Sequence, residues 1–328
     1  MTTLAAEHDA VLADLDGTLI RGTEPIPGAA DALERAGLPV VYVTNNASRS
    51  PEDAAAHLRE LGYPARAADV MTSAQAAVVM LGEHVPEGAR VLVVGHPSFA
   101  GLAREAGYEV VASADEEPEA VLQGLSRELT WGELAEGCLA LHRGVPWIAS
   151  NVDTTLPSER GLLPGNGSLV ACLVAATDRR PLVAGKPAPG VLVAAADRVG
   201  AERPLVVGDR LDTDTEGAVA AGMPSLMVLT GVSGVADLVT APPDRRPTHL
   251  AEGLEALLQP GSASLIDAAG RPEVDVDGDR LVVRSAPAEG LALARGVLAE
   301  LWDRGLSRLT AEDAALRGRL ADAGLPVD

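Results

Sequence analysis

Two acidic side chains stand two residues apart, directly after a short apolar run near the start of the chain. Asp14 and Asp16 follow residues 10–13, which read AVLA. Such a run is typical of a buried strand in a parallel sheet, and ligands bind at the carboxyl ends of these strands. Two carboxylates about 4 Å apart repel each other by roughly 4 kcal/mol at an effective dielectric constant of 20. The spacing therefore predicts a bound cation or a reaction that uses both acids.

A single lysine is the second chemically distinctive feature. Among the 26 basic residues, Lys186 is the only lysine, and all the others are arginine. An ammonium group can enter a small phosphate site as a point charge, whereas a guanidinium group is bulkier and planar. We therefore interpret Lys186 as a ligand for a phosphate group. The alternative is an incidental lysine on the surface.

Hydrogen-bond donors follow a second apolar segment, residues 38–43. They are Thr44, Asn45 and Asn46. Their hydroxyl, amide and backbone N–H groups can bind phosphate oxygens. For Thr44 the alternative is a helix cap, because threonine often has that role.

Further acids follow a later apolar segment, residues 204–207. Asp209 and Asp214 lie just beyond it. If this segment and the one before Asp14 are neighbours in a parallel sheet, their acids converge at one edge. Carboxylate oxygens with room for water suit Mg²⁺, which is the cofactor that we predict.

The composition is that of a globular protein. Of the 328 residues, 47% are hydrophobic, 22% charged and 2% aromatic. The formal charge of -21 and the scarcity of aromatic residues argue against nucleic acid and anionic membrane surfaces as partners. The chain shows only two cysteines, no basic and apolar leader, and no charge-free apolar stretch of about 18 residues. These features favour a cytoplasmic protein.

Strands and helices alternate along most of the chain, which predicts an α/β fold with parallel sheets. Residues 86–180 repeat this alternation as a unit of their own, and we interpret them as an inserted α/β cap domain. Residues 1–85 and 181–258 would then form the catalytic core. A linker at residues 259–262 would lead to a small α+β module, residues 262–328.

Several local features complete this prediction. The glycine and proline residues of 161–167 indicate a loop. In the C-terminal module we expect a hairpin over residues 273–285, turning at Asp277-Gly278-Asp279, and helices over residues 289–303 and 310–323.

Four motifs in order carry a family resemblance. The segments DLDGT, TNN, GKP and GDRLDTD resemble the motifs of haloacid dehalogenase-type (HAD) phosphatases. The segments NVDTTLP and PGNGS, ahead of GKP, resemble the subgroup with a large C2-type α/β cap between the second and third motifs. The resemblance covers residues 10–258 and implies a Rossmann-like, three-layer core with a parallel sheet.

The resemblance also implies catalytic roles. Asp14 would be the nucleophile that forms an aspartyl-phosphate, and Asp16 the general acid and base. Mg²⁺ would be bound by Asp14, by the backbone carbonyl of Asp16 and by Asp209. Asp214 would orient water or Lys186 rather than bind the ion directly.

A wider set of residues would bind the phosphate or the rest of the substrate. The set is Leu15, Asp16, Thr44, Asn45, Asn46, Lys186 and Asp153. For Asp153 the alternative is a structural role at the cap hinge.

The expected partner is a small phosphorylated metabolite. A large cap closes over a small, dry chamber, which suits compact phosphate monoesters. Members of the subgroup act on glycerol 3-phosphate, phosphoglycolate, pyridoxal 5'-phosphate, nucleoside monophosphates or 4-nitrophenyl phosphate. Scarce aromatic residues argue against stacking on a ring, so we expect glycerol 3-phosphate, with phosphoglycolate next.

Two alternatives stay open from the sequence. A phospho-accepting receiver protein also combines paired acids, a threonine and a Lys-Pro pair. Asp16 and the inserted domain favour the enzyme, because Asp16 supplies a base for turnover. The C-terminal module resembles a remnant of an acetyltransferase-like fold but has no glycine-rich pyrophosphate loop, so we expect it to serve in packing or in a homodimer.

Overall fold

The computed structural model describes residues 2–47, 50–158, 160–267 and 270–328. Its strands are β1 (Ala10–Ala13), β2 (Ile20–Arg21), β3 (Glu24–Pro25), β4 (Val40–Thr44), β5 (Val70–Thr72), β6 (Arg90–Val94), β7 (Glu109–Val111), β8 (Ala120–Gln123), β9 (Trp147–Ala149), β10 (Thr155–Ser158), β11 (Gly161–Pro164), β12 (Leu182–Val183), β13 (Pro204–Gly208), β14 (Ser225–Val228), β15 (His249–Ala251), β16 (Glu273–Asp277), β17 (Arg280–Ser285) and β18 (Arg308–Ala311).

The α-helices follow the same chain order. They are α1 (Ala29–Ala36), α2 (Pro51–Glu60), α3 (Ser73–Leu81), α4 (Pro97–Glu105), α5 (Trp131–His142), α6 (Asn166–Thr177), α7 (Gly190–Val199), α8 (Glu216–Ala220), α9 (Val235–Val239), α10 (Gly290–Arg304) and α11 (Ala314–Asp322). Within the described ranges, none of these helices has the length and apolar character that a bilayer crossing requires.

The chain divides into two compact units. Unit 1 consists of Met1–Val41 and Val199–Asp328, and unit 2 is Tyr42–Arg198. Unit 2 thus includes the predicted cap, together with the second motif and Lys186. The predicted bounds of core, cap and C-terminal module are a finer division, and they stay predictions.

The sheet of unit 1 is parallel and runs in the order β15-β14-β13-β1. All four residues of β1 are fully buried, as its unbroken apolar sequence predicts. The ladder continues one residue past the strand, where the Asp14 N–H donates to the Val207 carbonyl at 2.8 Å. The carboxyl ends of β1 and β13 therefore lie side by side, as the sequence predicts.

The C-terminal module shares a hydrophobic core with the rest of unit 1. Leu281 of β17 and Leu298 of α10 belong to the same buried cluster as Leu238 and Leu250. The Trp302 indole N–H also donates to the Leu238 carbonyl at 3.0 Å. The apolar side chains of the module are thus used in packing, which is one of the two roles that the sequence leaves open.

The predicted hairpin of the module is confirmed, and two other expectations there are wrong. Strands β16 and β17 are antiparallel and meet at the expected turn. Residues 308–311 form β18, parallel to β17, so α11 begins only at Ala314. The expected linker is packed against the N-terminus, since the Leu4 N–H donates to the Gln259 carbonyl at 2.7 Å and Gly261 is buried.

Unit 2 contains a five-stranded sheet in the order β12-β9-β8-β6-β7, whose described pairings are parallel. Strands β4 and β5 pair in parallel with each other. The α/β character that the sequence predicts for residues 86–180 is confirmed.

The predicted loop over residues 161–167 is wrong. Residues 161–164 form β11, which pairs antiparallel with β10, and α6 begins at Asn166. Every residue of β11 is exposed, so this strand has no buried face. The alternation of polar and apolar residues that identifies a strand is therefore missing from its sequence.

Candidate active site

Three carboxylates meet at the carboxyl edge of the sheet in unit 1. One oxygen from each of Asp14, Asp209 and Asp214 lies within 4.8 Å of the others, and we call these three residues the acidic cluster. Asp14 follows β1, Asp209 follows β13, and Asp214 lies in the π-helical turn Leu211–Thr215. Asp209 is 0% exposed and Asp214 is 3% exposed. The structure thus brings together three of the acids that the sequence predicts.

Backbone and hydroxyl donors hold the two buried acids. The Val232 N–H donates to Oδ2 of Asp209 at 2.7 Å, and the Thr18 hydroxyl donates to Oδ1 at 3.4 Å. The Arg210 N–H donates to Oδ2 of Asp214 at 3.1 Å. Donors of this kind fix the orientation of a carboxylate.

Glycines leave the space that these acids occupy. A Cβ at Gly17 would lie 2.5 Å from Cγ of Asp209, and the φ of +90° at Gly17 also disfavours any other residue. A Cβ at Gly208 would lie 2.5 Å from Oδ2 of Asp214. The glycines of DLDGT and of the GD pair therefore let the acids approach the neighbouring backbone.

The acidic cluster fits a hard divalent cation. Two unit charges 4.8 Å apart repel each other by about 3 to 4 kcal/mol at an effective dielectric constant of 20. The buried acids cannot relieve this repulsion by turning into water. Carboxylate oxygens are the ligands that Mg²⁺ prefers. The donor set of this structure therefore agrees with the predicted cofactor.

Asp16 differs from the acidic cluster in its exposure. It lies in a tight turn where the Gly17 N–H donates to the Ile20 carbonyl at 2.7 Å, while Leu15 before it is 8% exposed. The Asp16 side chain is exposed. A group that must exchange protons with an alcohol and with water needs such access.

In unit 2, the side chain of Asn45 holds the backbone of Lys186. Oδ1 of Asn45 accepts from the Lys186 N–H at 2.9 Å, and Nδ2 donates to the Lys186 carbonyl at 2.9 Å. Nδ2 also lies 3.3 Å from Oδ2 of Asp153. Lys186 is 3% exposed, so the alternative of an incidental surface lysine is wrong. The structure thus brings together three predicted site residues of this unit.

Two further asparagines hold Asn45 in turn. Nδ2 of Asn151 donates to the Asn45 carbonyl at 2.7 Å, and Nδ2 of Asn166 donates to the Asn151 carbonyl at 2.7 Å. We call Asn45, Asn151 and Asn166 the amide cluster. The Ser73 hydroxyl also donates to the Asn45 carbonyl, at 2.7 Å. Sequence reasoning missed Asn151, Asn166 and Ser73, and the only signal was the position of both asparagines within the two cap motifs.

Thr44 ends β4 and is 6% exposed. Its Oγ1 accepts from the Asn46 N–H at 3.1 Å, which shapes the turn after the strand. Helix α2 is capped by Ser50 instead, whose Oγ accepts from the Asp53 N–H at 3.1 Å. The alternative role of Thr44 as a helix cap is therefore wrong. The phosphate-binding roles of Thr44 and Asn46 stay predictions.

Two protein-family models match the segments of the chain that contain the four motifs. The model described as haloacid dehalogenase-like hydrolase matches residues 11–109, and the HAD-hydrolase-like model matches residues 183–257. A D-glycerol 3-phosphate phosphatase from Mycobacterium tuberculosis is 46% identical over 313 residues, which are 92% of this chain and 88% of the relative. An acid sugar phosphatase from Staphylococcus aureus is 38% identical over 237 residues, which are 71% and 90% of the two chains.

Solved structures agree with these sequence matches. The crystal structure of a glycerol phosphate phosphatase from Mycobacterium tuberculosis in complex with magnesium gives a TM-score of 0.95 at 45% identity, covering 99% of this chain and 100% of the other. A 4-nitrophenylphosphatase from Thermotoga maritima gives 0.71 at 30% identity, covering 77% and 97%. The chain belongs to the haloacid dehalogenase-like hydrolases, and the resemblance drawn from its motifs is confirmed at the level of the family.

Proposed function

We propose that the protein is an Mg²⁺-dependent phosphatase that hydrolyses a small phosphate monoester, with glycerol 3-phosphate as the preferred substrate. The acidic cluster carries this proposal, because three carboxylates around one point suit a divalent cation and include the predicted nucleophile. The similarity to D-glycerol 3-phosphate phosphatase over 92% of the chain supports the choice of substrate.

The reaction proceeds in two displacements. A carboxylate oxygen of Asp14 attacks phosphorus in line with the ester oxygen, so a new O–P bond forms and the ester P–O bond breaks. Asp16 gives its proton to the leaving alkoxide, which departs as the alcohol. Asp16 then takes a proton from water, whose oxygen attacks phosphorus and breaks the bond to Asp14. Inorganic phosphate leaves, and both acids return to their starting states.

Other residues balance the charge of the phosphoryl group. Asp14, Asp209 and the backbone carbonyl of Asp16 would hold Mg²⁺, which would neutralise the charge of the phosphoryl oxygens, and Asp214 would orient water or Lys186. The resemblance assigns to Lys186 a second positive charge for the same oxygens. Fixed charges of this kind assist the reaction because they need no reorganisation as it proceeds.

The aromatic residues of the predicted cap support a substrate without a ring. Residues 86–180 contain four of them. Phe99, Tyr108 and Trp147 are 0%, 9% and 2% exposed, so their rings belong to the core. Trp131 is 83% exposed at the start of α5. Three of the four rings are thus unavailable for stacking, which favours glycerol 3-phosphate or phosphoglycolate over pyridoxal phosphate and nucleotides.

A panel of phosphate monoesters tests the proposal. We expect multiple turnovers with Mg²⁺, loss of activity with a chelator, and the highest kcat/KM for glycerol 3-phosphate, followed by phosphoglycolate. A higher kcat/KM for pyridoxal phosphate or a nucleotide would contradict the substrate assignment. A single stoichiometric phosphorylation without turnover would favour the receiver alternative.

We further propose that the protein is cytoplasmic and that residues 262–328 serve in packing, with a role in a homodimer as the alternative. The burial of Leu281 and Leu298 in the hydrophobic core of unit 1 supports the packing role. Light scattering tests it, because a dimer would have twice the mass of 33.6 kDa.

A further inference from the structure

A chain of side-chain amides runs from the start of helix α6 to the lysine of unit 2. Asn166 donates to the carbonyl of Asn151, Asn151 donates to the carbonyl of Asn45, and Asn45 contacts both backbone polar groups of Lys186. These contacts join residues 106 and 141 positions apart in sequence. In the proposed reaction, the three asparagine side chains take part only through Lys186.

We propose that Asn45 is a positioning residue for Lys186, and that Asn151 and Asn166 keep Asn45 in place. The proposal rests on the proposed function only for the role of the Lys186 ammonium group. It assigns to the amide cluster the task of fixing the lysine backbone, and it removes the Asn45 side chain from the residues that bind phosphate.

The hydrogen-bonding capacity of Asn45 supports this assignment. A side-chain amide has two N–H donors and one carbonyl acceptor. Nδ2 donates to the Lys186 carbonyl and contacts the Asp153 carboxylate, while Oδ1 accepts from the Lys186 N–H. The donors that a phosphate oxygen would need are therefore already engaged.

Burial makes these contacts hard to replace. Lys186, Asn151 and Asn166 are 3%, 4% and 1% exposed. A buried backbone group that loses its partner keeps the full cost of its desolvation, since water cannot take over the bond. Removal of the Asn45 amide would therefore release the backbone of Lys186 rather than leave it in place with a new partner.

The glycine of the GKP motif fits the same arrangement. A Cβ at Gly185 would lie 2.7 Å from Oδ1 of Asn45 and 2.5 Å from the Ser150 carbonyl oxygen. The Gly185 N–H donates to that carbonyl at 2.8 Å. Only glycine lets the chain pass close enough for Asn45 to reach both backbone groups of the next residue.

The first test measures the backbone of Lys186 without using activity. Because Lys186 is the only lysine, protein labelled with ¹⁵N-lysine gives one backbone amide signal. We expect its hydrogen exchange to accelerate about tenfold or more in Asn45→Ala and in Asn151→Ala, because a buried hydrogen bond is lost or weakened. Asn45→Asp and Asn151→Asp keep the side-chain size but replace the amide donor, so they allow the same measurement if an alanine variant does not fold.

A matched control comes from the same helix. The Ser168 hydroxyl donates to the Thr154 carbonyl at 2.7 Å, so Ser168→Ala also removes one bond between α6 and the chain before β10. It lies outside the amide cluster. We expect lysine exchange and kcat within about twofold of the wild-type values. Equal exchange in the Asn45 variants and in this control would overturn the proposal.

The second test separates positioning from direct contact with substrate. In the wild-type background we expect Asn45→Ala to lower kcat about 30-fold, with a smaller change in KM. In a Lys186→Ala background the same substitution should cost less than about threefold, because the group that Asn45 positions is absent. Independent, multiplicative losses would show that Asn45 acts by another route and would overturn the proposal.

Failure of the proposed function looks different from failure of this inference. If the wild-type protein hydrolyses no phosphate monoester, the proposed function fails, while the lysine signal still reports whether Asn45 holds Lys186. If the wild-type protein is active and the Asn45 variants keep both their lysine exchange and their kcat, only the inference fails.

Discussion

The acidic cluster and the amide cluster solve the problem of placing a charge in different ways. In unit 1, three like charges are forced together, and they are fixed by backbone N–H donors and by glycines that make room. In unit 2, one cationic residue is placed through its backbone, which the neutral side chain of Asn45 holds. The first arrangement needs a counterion to offset its charge, whereas the second is built from neutral amides that donate to backbone carbonyls. We therefore expect the two clusters to respond differently to substitution.

The largest effect should come from the nucleophile. Asp14→Asn keeps the shape of the side chain but removes the charge that attacks phosphorus. We expect kcat to fall by about 10⁴-fold or more, with little change in the thermal unfolding temperature. Mass spectrometry should detect a phosphorylated aspartate in the wild-type protein after rapid quenching and none in the variant. A variant that kept a tenth of the wild-type kcat would show that another group is the nucleophile.

A smaller effect should follow from changing the cation of unit 2. Lys186→Arg keeps the charge and the backbone contacts with Asn45, but the planar guanidinium group needs more room than an ammonium group. We expect kcat/KM to fall about 100-fold, and Lys186→Met, which has no charge, to lose about tenfold more. Equal losses in both variants would show that shape, rather than charge, is decisive at this position.

The acidic cluster is easier to predict from the sequence than the amide cluster, because the two consist of different types of residue. Asp14 and Asp209 follow unbroken apolar strands. A charge in that position has few structural explanations, so the sequence alone predicts that both acids belong to a functional site. Asn151 and Asn166 were not identified, because asparagine is common in turns and at helix starts for local reasons. Their contacts join residues far apart in sequence, and only the tertiary structure reveals such pairs.

The fold shows the same division. Parallel strands such as β1 and β13 were predicted because both faces are buried and the apolar run is continuous. Strand β11 was missed because none of its residues is buried, and β18 because its four residues precede a stronger helical pattern. The compact packing of residues 259–263 depends on contacts with the N-terminus, which no local pattern encodes.

A matched pair of glycine substitutions would sharpen the contrast between the clusters. A Cβ at Gly17 would press on the Asp209 carboxylate, and one at Gly185 would press on Oδ1 of Asn45. We expect Gly17→Ala to raise the Mg²⁺ concentration needed for half-maximal activity about 10- to 100-fold. We expect Gly185→Ala to lower kcat by about tenfold without changing that Mg²⁺ concentration.

The control for Gly17→Ala is Gly37→Ala, because Gly37 has a φ of +67° but no atom within 4 Å of the added Cβ. It measures the cost of backbone strain alone. If Gly17→Ala and Gly185→Ala changed the Mg²⁺ requirement equally, the two clusters would not be functionally separate.

The smallest expected effect is on the pH dependence of stability, and it comes from a buried histidine of unit 1. Burial lowers the pKa of His249 in unit 1 to about 4, and nearby His8 acts in the same direction. The neutral ring shares a hydrogen bond of 3.1 Å with the Ser264 hydroxyl. The unfolded chain takes up this proton near pH 6.5, so the stabilisation is complete above pH 6.5 and is lost as the pH falls towards 4.

Between pH 7 and pH 4.5, His249 should therefore reduce the free energy of unfolding by about 2 to 3 kcal/mol. His249→Gln should remove this part of the pH dependence, although it also costs some stability at pH 7 because the ring is well packed. His142→Gln is the matched control, since His142 is exposed at the end of α5 in unit 2. Denaturant unfolding at several pH values measures both. We expect His142→Gln to keep the wild-type slope of stability against pH. If His249→Gln also kept that slope, His249 would not be the source of the protein's acid sensitivity.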